Sequence, residues 1–239
     1  MVRSDETAKR MEIAWESKRL PTTVKEGYGR QTLPLSTLFD QSALPADQRN
    51  PRPAMVWFVS QEPDSKLEKK LFDSENVAIA SRYFDCVKIY VEDFDSDDDR
   101  KRYAKVTPTL LLIDAAGKEV AKLEGREHGP DGVYRAMLKA ANAYWKKPLD
   151  QHVRDYGLFL KDFDKVAGRL SDLEAEVKEH EEHMVKHPCE RAKNAIKECQ
   201  EETAKLNVEK AKLQTKEADL LKPAFKVDPY ARGEATSKN

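Results

Sequence analysis

The sequence predicts an α/β domain, a central sheet flanked by helices on both sides, followed by a C-terminal antiparallel α-helical hairpin. Three observations carry this expectation. Between Pro53 and about Lys147, short apolar runs rich in β-branched and aromatic residues alternate with segments of helical spacing. Beyond about Leu149 charge rises, and an apolar seam recurs at alternating steps of three and four residues. That seam is interrupted once, at Pro188, and its two arms match in length.

The elements follow in order. Residues 1–52 read as an N-terminal helix and an extended strap. The helix is expected near Glu6–Leu20, with Met11 and Trp15 on one face. Pro21, Gly27, Gly29, Pro34, Pro45 and Pro51 then break any regular element. Leu35, Leu38 and Phe39 are expected to pin the strap to a neighbouring surface. Residues 53–147 form the sheet domain. AMVWFVS is a buried strand, and Ser65–Tyr83 a helix with Leu67, Leu71, Phe72 and Ile79 on one face. CVKIYVED is a strand. DSDDDRKRYAKV is a helix with carboxylates in its first turn, where the helix dipole favours them. TLLLID and EVAKLEG are paired strands joined by a turn at Gly117, and Gly132–Lys146 is a closing helix. The order β-α-β-α-β-β-α places helices on both faces of the sheet.

Residues 148–222 form the hairpin. Its first seam is Tyr156, Phe159, Phe163, Val166, Leu170, Leu173, Val177, His180 and Met184. The second is Ala192, Ile196, Cys199, Thr203, Leu206, Lys210, Leu213, Glu217 and Leu220. Folding at Pro188 sets Val177 near Cys199 and Phe163 near Leu213. Lys210 and Glu217 weaken the second seam, so one kinked helix, or pairing with a second copy of the chain, stays open. Residues 223–239 read as a polar, extended tail.

The 239 residues include 42 basic and 43 acidic side chains, a formal net charge of −1. With 36% charged residues and a mean hydropathy of −0.76, this is a polar chain. The balance of charge gives no case for nucleic-acid binding. No apolar run approaches a membrane span. The N-terminal MVRSDETAKRMEIAW lacks the apolar stretch of a signal peptide, which reads as cytoplasmic. A signal already removed would instead mean a periplasmic or secreted protein. Three cysteines, Cys86, Cys189 and Cys199, are too few and too scattered for a disulfide framework.

One stretch is more specific. KVTPTLLLIDAAGKEVAKLEG, preceded by AMVWFVS and FDCVKIYVED, resembles the thioredoxin family over about residues 54–146. The resemblance implies a cis-proline at Pro108, opening a strand, with Thr107 before it. It also implies that backbone beside this proline pairs with an extended peptide. The family's reactive Cys-x-x-Cys belongs at the start of the first long helix, where this chain has Pro63, Asp64, Ser65 and Lys66. Thiol–disulfide exchange needs an attacking thiolate and a second sulfur to release the mixed disulfide. A serine hydroxyl cannot take either part. The family's buried carboxylate on the preceding strand is replaced by Trp57.

The expected function is therefore protein–protein interaction or scaffolding without redox catalysis and without a cofactor. The peptide edge would be Pro63, Asp64, Ser65, Thr107 and Pro108, and the hairpin offers a second route to a partner or to a homo-oligomer. The opposing expectation is an enzyme: a thiol oxidoreductase using Cys189, or a metal-dependent activity at His180, His183, His187 and Cys189. These four sit near the hairpin tip and are residue types that zinc takes. The plainer reading is a solvated tip with His180 filling a seam position. The acidic run Asp93, Asp95, Asp97, Asp98 and Asp99 lacks the glycine and glutamate of a calcium loop and reads as a helix start.

Overall fold

A computed structural model describes residues 3–27, 29–45, 48–62, 65–226 and 228–230. The chain divides into two compact units, Met11–Val153 with Pro223–Asn239, and Met1–Arg10 with Arg154–Lys222. The division thus falls within the expected N-terminal segment, whose residues up to Arg10 group with the hairpin. Among the described residues no helix is long and apolar enough to cross a membrane.

The secondary structure begins with α1 (Asp5–Arg10) and the two-residue strand β1 (Glu16–Ser17). The helix expected across Glu6–Leu20 therefore stops at Arg10. Beyond it the chain turns extended, because β1 pairs in parallel with a central strand and Lys18 N–H donates to Lys88 C=O at 3.0 Å. Local periodicity yields there to a long-range ladder. The strap is also more regular than expected. Its strands β2 (Thr22–Lys25) and β3 (Gly29–Thr32) form a small antiparallel hairpin. Gly27 and Gly29, at φ of 80° and 70°, supply the left-handed backbone that the turn needs. A short 3-10 turn at Leu35–Leu38 follows; Leu35 is buried, and Leu38 and Phe39 pack against the core.

The central sheet adds β4 (Ala54–Val59), β5 (Asp85–Tyr90), β6 (Thr109–Ile113) and β7 (Glu119–Glu124). Its strand order is β1-β5-β4-β6-β7. Strands β4 and β5 run parallel, whereas β6 is antiparallel to both β4 and β7. Side chains alternate along each strand. Ala54, Val56 and Phe58 share one core with Val87, Ile89, Leu111 and Ile113. Met55, Trp57, Leu110 and Leu112, on the alternate positions, are buried too. A strand buried on both faces reads as a continuous apolar run, as AMVWFVS does.

Helices α2 (Ser65–Phe72), α3 (Glu75–Ser81), α4 (Asp97–Tyr103) and α5 (Pro130–Asn142) complete the sheet unit. The single helix expected over Ser65–Tyr83 is thus two. Ser74 is extended and its C=O accepts from Ala78 N–H, starting α3 afresh. The acidic run starts α4 as expected, with Ser96 Oγ accepting from Asp99 N–H. The tail returns to this unit: Lys146 N–H donates to Ala224 C=O, and Lys226 N–H to Tyr144 C=O. Gln41 N–H donates to the Tyr230 hydroxyl, which donates in turn to Phe39 C=O. The rest of the expected polar tail, 231–239, lies outside the described residues.

The second unit is built on α6 (Leu149–Lys186) and α7 (Glu190–Leu220), with Pro188 between them. Contacts pair in reverse order along them, Tyr156 with Glu217, Arg169 with Glu202, and Glu176 with Cys199, so the helices are antiparallel. Every residue of the two expected seams is buried or half-buried. The two charged positions of the second seam, Lys210 and Glu217, have a physical reason. Lys210 Nζ pairs with Glu6 Oε1 at 2.6 Å, and Glu217 with Arg10 Nε at 3.1 Å, so both receive α1. Asp164 anchors the same helix by accepting from Arg3 Nη1 at 2.8 Å, Ser4 N at 3.0 Å and Ser4 Oγ at 2.8 Å.

Candidate functional site

The sheet register determines what lies beside Pro108. Phe58 faces Thr109 across β4 and β6, and Val59 faces Tyr90 across β4 and β5. The end of β4, the end of β5 and the start of β6 therefore share one end of the sheet. Helix α2 follows β4 at that end. The Thr107–Pro108 peptide bond is cis. Pro108 is buried, and its C=O accepts from Gly125 N–H at 2.9 Å. Thr107 is exposed, and among the described residues its backbone takes no hydrogen bond.

After β4 the chain is held by Glu92. Its carboxylate accepts from Ser60 Oγ and from Gln61 N–H, at 2.5 and 3.1 Å. The Ser60 hydrogen bond chiefly holds this carboxyl below its ordinary pKa. Of the expected peptide-edge residues, Pro63 and Asp64 lie outside the described residues, and Ser65 opens α2. Where the family resemblance implies a carboxylate, Trp57 is buried between other aromatic rings. Trp15 lies 5.5 Å from it and Phe72 5.0 Å, centroid to centroid. Its indole N–H has no hydrogen-bond partner among the described residues, and an indole cannot accept a proton in exchange chemistry.

Of the three cysteines, Cys86 alone lies in the sheet unit. Cys86 pairs with Met55, three positions before Phe58 on the neighbouring strand, which sets it ~10 Å further along the sheet. It is buried, its thiol turned to Ser81 C=O and Phe84 C=O at 3.7 and 3.8 Å. Burial, with Asp85 adding, drives its pKa far up, which removes the thiolate. Cys199 lies in the helical unit with its sulfur 3.7 Å from Glu176 Oε2. Burial and then this carboxylate raise its pKa. Cys189 caps the start of α7 and is half-buried, its N–H reaching Met184 Sδ at 3.5 Å. All three are free thiols.

At the hairpin tip, His183 and His187 are exposed with ring centroids 5.6 Å apart, and His180 occupies a half-buried seam position. Among the described residues no three His, Cys, Asp or Glu side chains are grouped so as to hold a metal ion. The expected ligands His180, His183, His187 and Cys189 are neighbours in sequence but are not gathered into one coordination set.

Sequence reasoning missed a different cluster. Trp15, Trp57 and Phe72 pack together, and Lys88 Nζ lies 5.4 and 5.0 Å from the two indole centroids while pairing with Glu68 at 2.9 Å. Helical spacing places Trp15 on a helix face; the pairing of the adjoining β1 with β5 brings it here instead. No family model matches the chain, and no curated protein matches its sequence.

Proposed function

We propose that the sheet unit is a thioredoxin-like domain without thiol–disulfide exchange, and that the chain works by non-covalent contact with a protein partner. The element order supports the first half. Parallel β4 and β5, separated by helices, are followed by antiparallel β6 and β7, with Pro108 at the opening of β6. This is the arrangement that the sequence resemblance implies. The observation that carries the second half is the position of the thiols. The only cysteine of the sheet unit is Cys86, buried at the far end of β5 from Pro108. What remains at the Pro108 end is recognition chemistry: an exposed Thr107 whose backbone, among the described residues, takes no hydrogen bond. Such an edge suits the addition of an extended segment by main-chain hydrogen bonds.

The test is a disulfide-reduction assay on the full chain, supplied with dithiothreitol and an insulin-type substrate. The Cys86→Ser/Cys189→Ser/Cys199→Ser variant serves as the baseline. The reading predicts equal rates for the two proteins. A rate for the wild type well above that baseline would make the chain an oxidoreductase and end the proposal.

A further inference from the structure

A second feature of the sheet unit lies between the segment Met11–Trp15 and helix α2. Met11, Ile13, Trp15 and Phe72 line a groove of about 370 Å³. That volume falls within the range of small-ligand and side-chain sites. Three of the four are only half-buried. The floor is rigid, because Trp15 is packed on Trp57 and on Phe72, 5.5 and 5.4 Å between centroids.

The rim is charged and mostly acidic. Glu12, Glu68 and Asp73 face one cation, Lys69. Glu68 is committed to Lys88. Glu12 and Asp73 are exposed and, among the described residues, in no ion pair. The aromatic cluster already attracts an ammonium: Lys88 Nζ lies over both Trp15 and Trp57. Ring quadrupoles draw cations in this way, lysine and arginine above all.

We infer that this groove receives a segment of a partner protein in which an apolar side chain adjoins a lysine or arginine. The apolar side chain fills the space between Met11, Ile13 and Phe72. The cation lies against Trp15, within reach of the Glu12 and Asp73 carboxylates. The inference rests on the reading that the chain works by binding protein. It does not depend on the thiol question or on the Pro108 edge.

The test is a polarisation titration of the full chain with a fluorescein-labelled ten-residue peptide, Leu-Lys-Leu at its centre and Gly-Ser on both sides. Binding is expected for this peptide and expected to be at least about ten-fold weaker for the same peptide with Glu in place of Lys, since the charge would then oppose the rim. Glu12→Lys/Asp73→Lys, both exposed positions, should weaken the lysine peptide by at least about ten-fold and leave the circular dichroism spectrum unchanged. Glu181→Lys/Glu182→Lys, on the acidic hairpin, should leave it unaffected. Equal binding of the two peptides, no binding of either, or loss of binding only in the hairpin variant would each overturn the groove. Loss with Thr107→Trp alone would overturn it in favour of the Pro108 edge. Turnover in the disulfide assay would end the functional reading while leaving this titration to stand on its own.

Discussion

Asp164 is the clearest single point at which the helical unit can be perturbed. It is buried on α6, and it accepts three hydrogen bonds from Arg3 and Ser4 at the start of α1. Burial by itself raises its pKa, but hydrogen bonds from Thr7, Arg3 and Ser4 outweigh burial and hold it at about 2, against an ordinary 3.8. A carboxylate held low favours the folded state wherever it is ionised. Its contribution is complete above pH ~4 and is lost as pH falls through the folded value. The gap between 3.8 and about 2 corresponds to roughly 2 kcal/mol at neutral pH and about half of that at pH 3. Asp164→Ala also leaves Ser4 N–H without its acceptor, so the expected loss is about 2–4 kcal/mol. Asp164→Asn keeps an acceptor and should lose about 1–2 kcal/mol at pH 7. Urea unfolding followed at 222 nm reads this directly, since α6 and α7 are 38 and 31 residues long and the next longest helix is 13. Tryptophan fluorescence reports the other unit, because Trp15, Trp57 and Trp145 all lie there. A 222 nm transition that Asp164→Ala leaves in place at pH 7 would contradict this role for Asp164. So would a gap between wild type and Asp164→Asn that is the same at pH 7 and pH 3.

Three further outcomes are expected. Gly117→Ala should destabilise the sheet unit by about 1–3 kcal/mol in fluorescence-monitored urea unfolding. Gly117 has φ of 80°, and an added Cβ would meet Ser36 Cβ at 2.7 Å. In timed alkylation read by mass spectrometry, half-buried Cys189 should react under native conditions, whereas Cys86 should be labelled only as the protein unfolds. Arg169 bridges Glu176 and Glu202 at 2.6 and 2.8 Å, yet the three side chains keep 39%, 43% and 44% of their surface in solvent. Arg169→Ala should therefore change the stability read at 222 nm by less than about 1 kcal/mol.

The parts of the fold that were legible are those governed by local periodicity. The three-and-four spacing from Tyr156 to Met184 and from Ala192 to Leu220 survives as buried or half-buried positions, because burial on a helix repeats with its turn. The strands around Val56, Val87 and Leu111 were legible in another way, as short apolar runs, because side chains on both faces of the sheet are buried. What failed was set by partners distant in sequence. Met11 and Trp15 have helical spacing, but the chain there is drawn to the edge of β5. Asp73 and Ser74 sit inside an unbroken apolar rhythm, yet the backbone turns extended at Ser74 and the helix ends there. Lys210 and Glu217 break the apolar seam as sequence because they pair with Glu6 and Arg10 of α1. The strap's hairpin did leave a signal, Gly27 and Gly29, which a reading in terms of breakers alone passed over. At the candidate site, the cis bond at Pro108 was visible in sequence. The Trp15, Trp57 and Phe72 cluster was not, since it joins three separate elements.

The central claim is that association with a partner involves no sulfur. It is tested most directly by measuring the affinity of a purified natural partner for the wild type and for the Cys86→Ser/Cys189→Ser/Cys199→Ser variant, with and without dithiothreitol. Four matching dissociation constants are the expected result. A complex that the variant cannot form, or that the reductant releases, would mean a covalent thiol mechanism and contradict the account.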